Sequence, residues 1–356
     1  MTISCIQSTI HWINYGMYIY WTEFKSDVMA RVKKFQGYLE DFLGSDLRVP
    51  LPTLARDQVR FVAPVKGADD NVLRYHNYSV IQHAVRRFPF LTAANIDGNH
   101  FKNLKRKEVF KGGGDRWRKD PRISYKHQWG AELYGAKRSD FDRGHMTKRE
   151  DVQWGPTLSH ARIGALSTFF YTNSVPQHRA LNQVLWRSLE DYILHQEALD
   201  HGMKINVFTA PLLMDDDPEF VTTVRGASVL IPRMFWKMVY YTRDGQTLNR
   251  VAFLLGQEDI LIDAGIVHPP SVSRGGLEDT RFQDFKFGDT FQVHPSFIED
   301  MTGFSFPRAH EPFEDHRPVR IILEEVDLPV ESQSRTRGGR TRGGTKKVSR
   351  IKGLTL

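Results

Sequence analysis

Runs of β-branched and aromatic residues constrain this chain more than any other feature. They are RFVAPV (60–65), VLRYHNYSVIQ (72–82), FLTAANI (90–96), INVFTAPLL (205–213), VLIPRMFWKMVYYT (229–242), RVAFLLGQ (250–257) and IILEEVDLP (321–329). Such runs are strand-formers. They come in groups rather than in strict strand–helix–strand alternation, which predicts an α+β fold with a central, mostly antiparallel sheet flanked by helices. Residues 229–242 and 250–257 are placed to form a hairpin across RDGQ (243–246). Helical spacing is predicted over 22–45, over 159–170 ahead of a strand that Pro176 ends, and around 295–302. It is clearest over 178–201, where Leu181, Leu185, Leu189 and Ile193 recur every four residues and Gly202 supplies a stop.

Pro50 and Pro52 mark a linker, so three regions are expected: an N-terminal helical extension (1–55), a main domain (56–330) and a basic Arg/Gly-rich tail (331–356) read as disordered. The net charge of +7 is carried by the tail. From Arg335 onward there are eight Lys and Arg and no acid, and without them residues 1–334 sum to −1. Attraction to polyanions must therefore come from local patches or from this tail. The single cysteine, Cys5, excludes an intramolecular disulfide and a cysteine-based zinc cluster. Residues 1–21 lack a basic leader and are interrupted by His11 and Asn14, so they read neither as a secretion signal nor as a membrane span. The compartment is left open: cytoplasmic by default, secreted if the N-terminus is misassigned.

Two segments carry chemistry. Asp142-Arg143-Gly144-His145 lies among strand-like residues. A histidine near a strand end can take a proton from water near neutral pH, the adjacent acid can orient it or a neighbour, and glycine permits a tight backbone near a phosphate. On the helix of 178–201, Asn182, Trp186 and Glu190 follow at intervals of four. Asn182 and Glu190 then share a broad face about 12 Å apart along the axis. An amide oxygen suits Mg²⁺, which keeps most of its waters, and a carboxylate further along can hold those waters. His127, His160, His178 and His195 read as ordinary side chains, Trp154 and Tyr171 as core, and glycines 112–114 as a flexible loop without the P-loop pattern.

Taken in order, Asp142-Arg143-Gly144-His145, then Asn173, Pro176 and Gln177, then Asn182, Trp186 and Glu190 resemble the DNA/RNA non-specific endonucleases, the ββα-metal, endonuclease G-like group. The resemblance spans about residues 70–310 and implies a ββα-metal nuclease core. It further implies a Mg²⁺-dependent, sequence-nonspecific endonuclease that hydrolyses phosphodiesters of DNA and RNA to 5′-phosphate products, with Mn²⁺ as a substitute metal. By resemblance, His145 is the general base, Asn182 the direct metal ligand, and Glu190 a ligand through water. Asp142 supports the histidine and local geometry, and Arg143 lies close to the phosphate. A transition-state arginine near the Trp117–Pro121 element falls on Arg116, with Arg118 and Arg122 behind it, because Asp115 stands two residues before Trp117. Where some members carry a further arginine, this chain has Leu194. Alternatives are a nucleic-acid-binding protein with a silent site and a nuclease effector gated by an inhibitor or regulatory partner. A homodimer is compatible with each.

Overall fold

The computed structural model describes residues 35–110, 114–179, 198–199, 201–268, 290–329, 345–352 and 354–356. Its centre is an eight-stranded sheet in the order β1 (Leu73–Arg74), β2 (Tyr78–Gln82), β3 (Pro89–Asp97), β6 (Lys204–Leu212), β7 (Met234–Tyr241), β8 (Asn249–Gly256), β9 (Thr290–Val293) and β10 (Val319–Arg320). Every neighbouring pair is antiparallel. The α+β expectation therefore holds. β7 and β8 form the hairpin foreseen across residues 243–246, with Asp244 accepting from the Gln246 and Thr247 amides in the turn.

The central strands are apolar on both faces because both faces are covered. Alternation sends Val207, Phe235, Val239, Phe253 and Leu255 to one core and Phe208, Ala210, Trp236, Met238 and Leu254 to the other. Antiparallel sheets commonly leave one face wet and read as alternating; here the sandwiching layers make the runs continuous. The second core is closed by Phe304 and Phe306, by Ile298 of the helix Pro295–Thr302, and by Tyr38 and Val49. Residues 35–55 thus pack on the main sheet instead of standing apart from it. Their chain is a series of turns, not the helix read over 22–45, since the apolar side chains there reach the sheet from irregular backbone that Asn95 and Ser79 hydrogen-bond. Residues 22–34 lie outside the described residues.

Three further differences from the sequence reading are local. RFVAPV forms a single 3-10 turn (Val59–Phe61) and isolated bridges rather than a strand. Residues 229–233, which contain Pro232, precede β7 instead of joining it. In the tail, Thr345–Lys352 is β12, paired antiparallel with β11 (Ile322–Pro329), where disorder was expected; its β-branched Thr345, Val348 and Ile351 are compatible with a strand once a partner strand is present. Residues 330–344 lie outside the described residues.

The sheet's first core also carries a separate two-stranded unit, β4 (Phe141–His145) with β5 (Ser174–His178), packed through Phe141, Met146 and Val175. Between these strands the chain runs through the helix Leu158–Ser167, started by the Thr157 side chain accepting from the His160 amide. The antiparallel pair is the ββ part of the expected ββα unit. The segment that would supply its helix, 180–197, lies outside the described residues.

Candidate active site

The β4–β5 register sets Asp142 opposite Gln177, Arg143 opposite Pro176, Gly144 opposite Val175 and His145 opposite Ser174. Pro176 does not end the strand: a two-stranded unit has only edges, where a missing N–H is tolerated. Alternation puts Arg143 and His145 on one face and Asp142 on the other. Asp142 lies near Arg179, at 3.9 Å, so the structure places its charge on the face away from the histidine it was expected to support.

The glycine of the motif has a different cause from the one first inferred. Gly144 does not adopt a left-handed backbone. A Cβ there would overlap the Gln177 amide, which crosses directly over it. The residues after His145 are clamped by Asn173. Its Oδ1 accepts from Thr147 N at 2.9 Å, its Nδ2 donates to the carbonyls of Thr147 and Thr168 at 2.9 and 3.1 Å, and its own carbonyl accepts from Met146 N. A second amide holds β5 to the main sheet: Gln257 Oε1 accepts from His178 N at 2.9 Å, and Nε2 donates to the carbonyls of Pro176 and Pro232.

His145 lies between aromatic rings. Its centroid is 4.7 Å from that of Trp117, tilted at 55°, and 4.9 Å from that of Phe169, edge to face. Burial pushes its pKa from the ordinary 6.5 down to about 3, helped by Arg106, Arg149 and Lys148 and opposed by Asp115. Its Nε2 is buried with no hydrogen-bond partner among the described residues, as are both amide atoms of Gln177. Trp117 is positioned by its neighbours. Arg118 pairs through its backbone with Phe169 and Tyr171, and Asp120 accepts from the Tyr75 hydroxyl and from Arg122 while Gln128 holds its backbone at both ends.

This arrangement separates the arginines. Arg118 packs over Phe170 and donates to the Leu166 carbonyl; Arg122 is engaged with Asp120, the Arg74 carbonyl and the Tyr75 ring. Both are structural. Arg116 is exposed beside Trp117. Arg143 is exposed, 5.3 Å from the Tyr134 ring centroid and hydrogen-bonded to Tyr171, whose ring stacks on Tyr134. The structure therefore brings His145, Trp117 and cationic groups together. Asn182, Trp186, Glu190 and Leu194 lie outside the described residues. Among the described residues, no three His, Cys, Asp or Glu side chains are grouped to hold a metal ion. Sequence reading missed the clamping roles of Asn173 and Gln257 and the packing of Gln177 over Gly144, and it missed Arg106. Asn173 and Gln177 already stood in the motif, but nothing local signals what the Asn173 amide binds or where the Gln177 side chain packs.

Residues 58–312 match the DNA/RNA non-specific endonuclease family, and the chain belongs to it. An uncharacterized protein, y4fB, of Sinorhizobium fredii (strain NBRC 101917 / NGR234) is 37% identical over 281 residues, a match covering 76% of this chain and 39% of that protein. The chain thus spans well under half the length of that curated relative. A solved structure described as the EndoG/EndoGI complex, mechanism of EndoG inhibition, is similar at 19% identity and a TM-score of 0.46, covering 67% of this chain and 86% of that one. Among the described residues no helix is long and apolar enough to cross a membrane.

Proposed function

We propose that this chain is a Mg²⁺-dependent endonuclease that hydrolyses phosphodiester bonds of DNA and RNA without sequence preference, with His145 as the general base and 5′-phosphate products. The observation that carries the reading is the buried Nε2 of His145, without a partner among the described residues and held on an aromatic wall with cations around it, in the Asp-Arg-Gly-His strand of a nuclease family.

The low pKa keeps the imidazole uncharged at neutral pH, as a proton acceptor must be. In the free protein it is a weak base, because burial, and after it Arg106, Arg149 and Lys148, oppose its protonation. An anionic phosphate seated among those cations offsets them, stabilises the imidazolium and raises the pKa toward the range a base requires. Arg143 and Arg116, both exposed, neutralise charge on the phosphate. Asn182 would hold the metal and Glu190 its waters; β5 leads straight into the segment that carries them. A hard cation on an amide oxygen and water suits Mg²⁺, with Mn²⁺ as a substitute, and supplies Lewis-acid stabilisation of the phosphate and leaving oxygen. Cutting the backbone requires little contact with bases.

The test is digestion of supercoiled plasmid and total RNA with Mg²⁺ or EDTA, comparing wild type with His145→Ala. Degradation of both substrates only with metal, lost in the variant, supports the reading. Pure wild-type protein that retards nucleic acid in a gel yet cuts neither substrate overturns it in favour of a binding protein with a silent site.

A further inference from the structure

Arg106 stands on a one-turn helix, Arg106–Val109, and its guanidinium makes a forked pair with Asp115: Nε donates to Oδ1 at 2.7 Å and Nη2 to Oδ2. Asp115 is two residues before Trp117, the ring that packs on His145, and Arg106 is the first of the charges that act on that histidine. The Arg106 side chain is 63% exposed and that of Asp115 25% exposed, so the pair can open without unfolding anything. The turn that carries Arg106 is anchored independently of the pair. Arg149 donates to the Leu104 carbonyl at 2.8 Å, and Arg162 donates to the Val109 carbonyl at 3.0 Å.

A carboxylate forked on a guanidinium has the geometry with which arginine grips a phosphate. An exposed ion pair contributes little to stability, so this one is a poor structural staple and an easily exchanged partner. We propose that Arg106 is a phosphate-binding residue of the nuclease site and that Asp115 holds its guanidinium in the free protein in the substrate phosphate's place, giving it up when a nucleic-acid strand binds. Asp115 is then a built-in competitor that weakens the grip of Arg106 on any substrate phosphate. The proposal rests on the nuclease reading above.

The two roles differ in sign. If the pair only braces the loop, removing either partner impairs the protein in the same direction. If Asp115 mimics phosphate, Arg106→Ala weakens nucleic-acid binding while Asp115→Asn strengthens it. The experiment measures fluorescence anisotropy of a labelled duplex oligonucleotide in EDTA, and cleavage of the same duplex in Mg²⁺, for wild type, R106A, R106K, D115N and R106A/D115N across a salt series. Arg106→Ala is expected to raise Kd and KM roughly ten- to a hundredfold and to lower the salt slope by about one, with Arg106→Lys falling between. Asp115→Asn is expected to lower both constants severalfold, and to change nothing once Arg106 is gone. Equal effects of Asp115→Asn with and without Arg106 reduce it to general electrostatics and overturn the proposal, as does weakened binding by D115N. If wild type cuts nothing, the nuclease reading fails, while the anisotropy measurements still decide whether Arg106 and Asp115 compete for phosphate.

Discussion

The eight-stranded sheet and the β4–β5 pair are built on opposite rules. Across β3, β6, β7 and β8 every residue but the terminal Lys204 and Asn249 is buried, and the interior is filled by alternating large apolar side chains on two faces. The β4–β5 pair has five residues per strand and is held in place by two amides, Asn173 and Gln257, with the Gln177 side chain packed over Gly144. Its ten residues carry three buried polar atoms without partners among the described residues, in His145 and Gln177; the whole eight-stranded sheet carries four, in Gln82, Asn206, Trp236 and Thr290. Apolar burial is non-directional and makes a stable slab. Directional amide bonds fix a strand's position without filling its surroundings, and on the reading proposed above the unspent hydrogen-bonding capacity serves the substrate. On that reading the site lies where the packing rule is relaxed.

The sharpest break between the two regions comes from His145→Ala. Hydrolysis is expected to fall by roughly 10²–10⁴ with little change in melting temperature, measured by plasmid nicking beside a thermal melt; a parallel loss of fold would place the residue among structural ones. The reverse pattern is expected for Phe208→Ala in the second core. Phe208 is fully buried, so truncation should cost about 3–5 kcal/mol of unfolding free energy and leave KM for nucleic acid unchanged in the surviving folded fraction.

Asn173→Ala tests the clamp. It strands the Thr147 N–H and C=O, and a loss of about 1–3 kcal/mol is expected in denaturant unfolding, with kcat falling by more than stability alone accounts for. Unchanged kcat would mean that the loop after His145 is held by other contacts. Gly144→Ala should displace Gln177 and cost about 1–3 kcal/mol; a second substitution, Gln177→Ala, should recover part of that loss if the clash is the cause.

The smallest effect near neutrality is the acid dependence of stability. Burial lowers His76 and His83 to about 4 and His145 to about 3, from 6.5. Each folded-state pKa lies below the unfolded value, so the unfolded chain binds more protons as pH falls. The contribution is therefore full above about 6.5 and is lost progressively through about 4, continuing to about 3. Urea midpoints taken every half pH unit should fall over this window, and His83→Gln should flatten the fall. A flat wild-type profile between 6.5 and 4 would show these imidazoles to be better solvated than their packing indicates.

How far the chain's own residues foretell these regions follows from range. Strand runs such as MFWKMVYY and RVAFLLG announce buried strands because period and residue type are local properties, and Asp142–His145 announces itself because four adjacent residues suffice. The α+β class, the β7–β8 hairpin and the family resemblance were legible for that reason. What only the tertiary structure decided are relations between distant residues. Residues 35–55 close the second core because a two-faced sheet needs a cover from somewhere. Arg118 and Arg122 turn inward while Arg116 and Arg106 stay exposed, because Phe170, Tyr75 and Asp120 are folded against the former pair. Gln257 reaches β5 from about eighty residues away. Hydrophobic periodicity is written into neighbouring residues and survives in the bare sequence. The partner of a buried amide or guanidinium is chosen only when the sheet brings remote segments within hydrogen-bond reach.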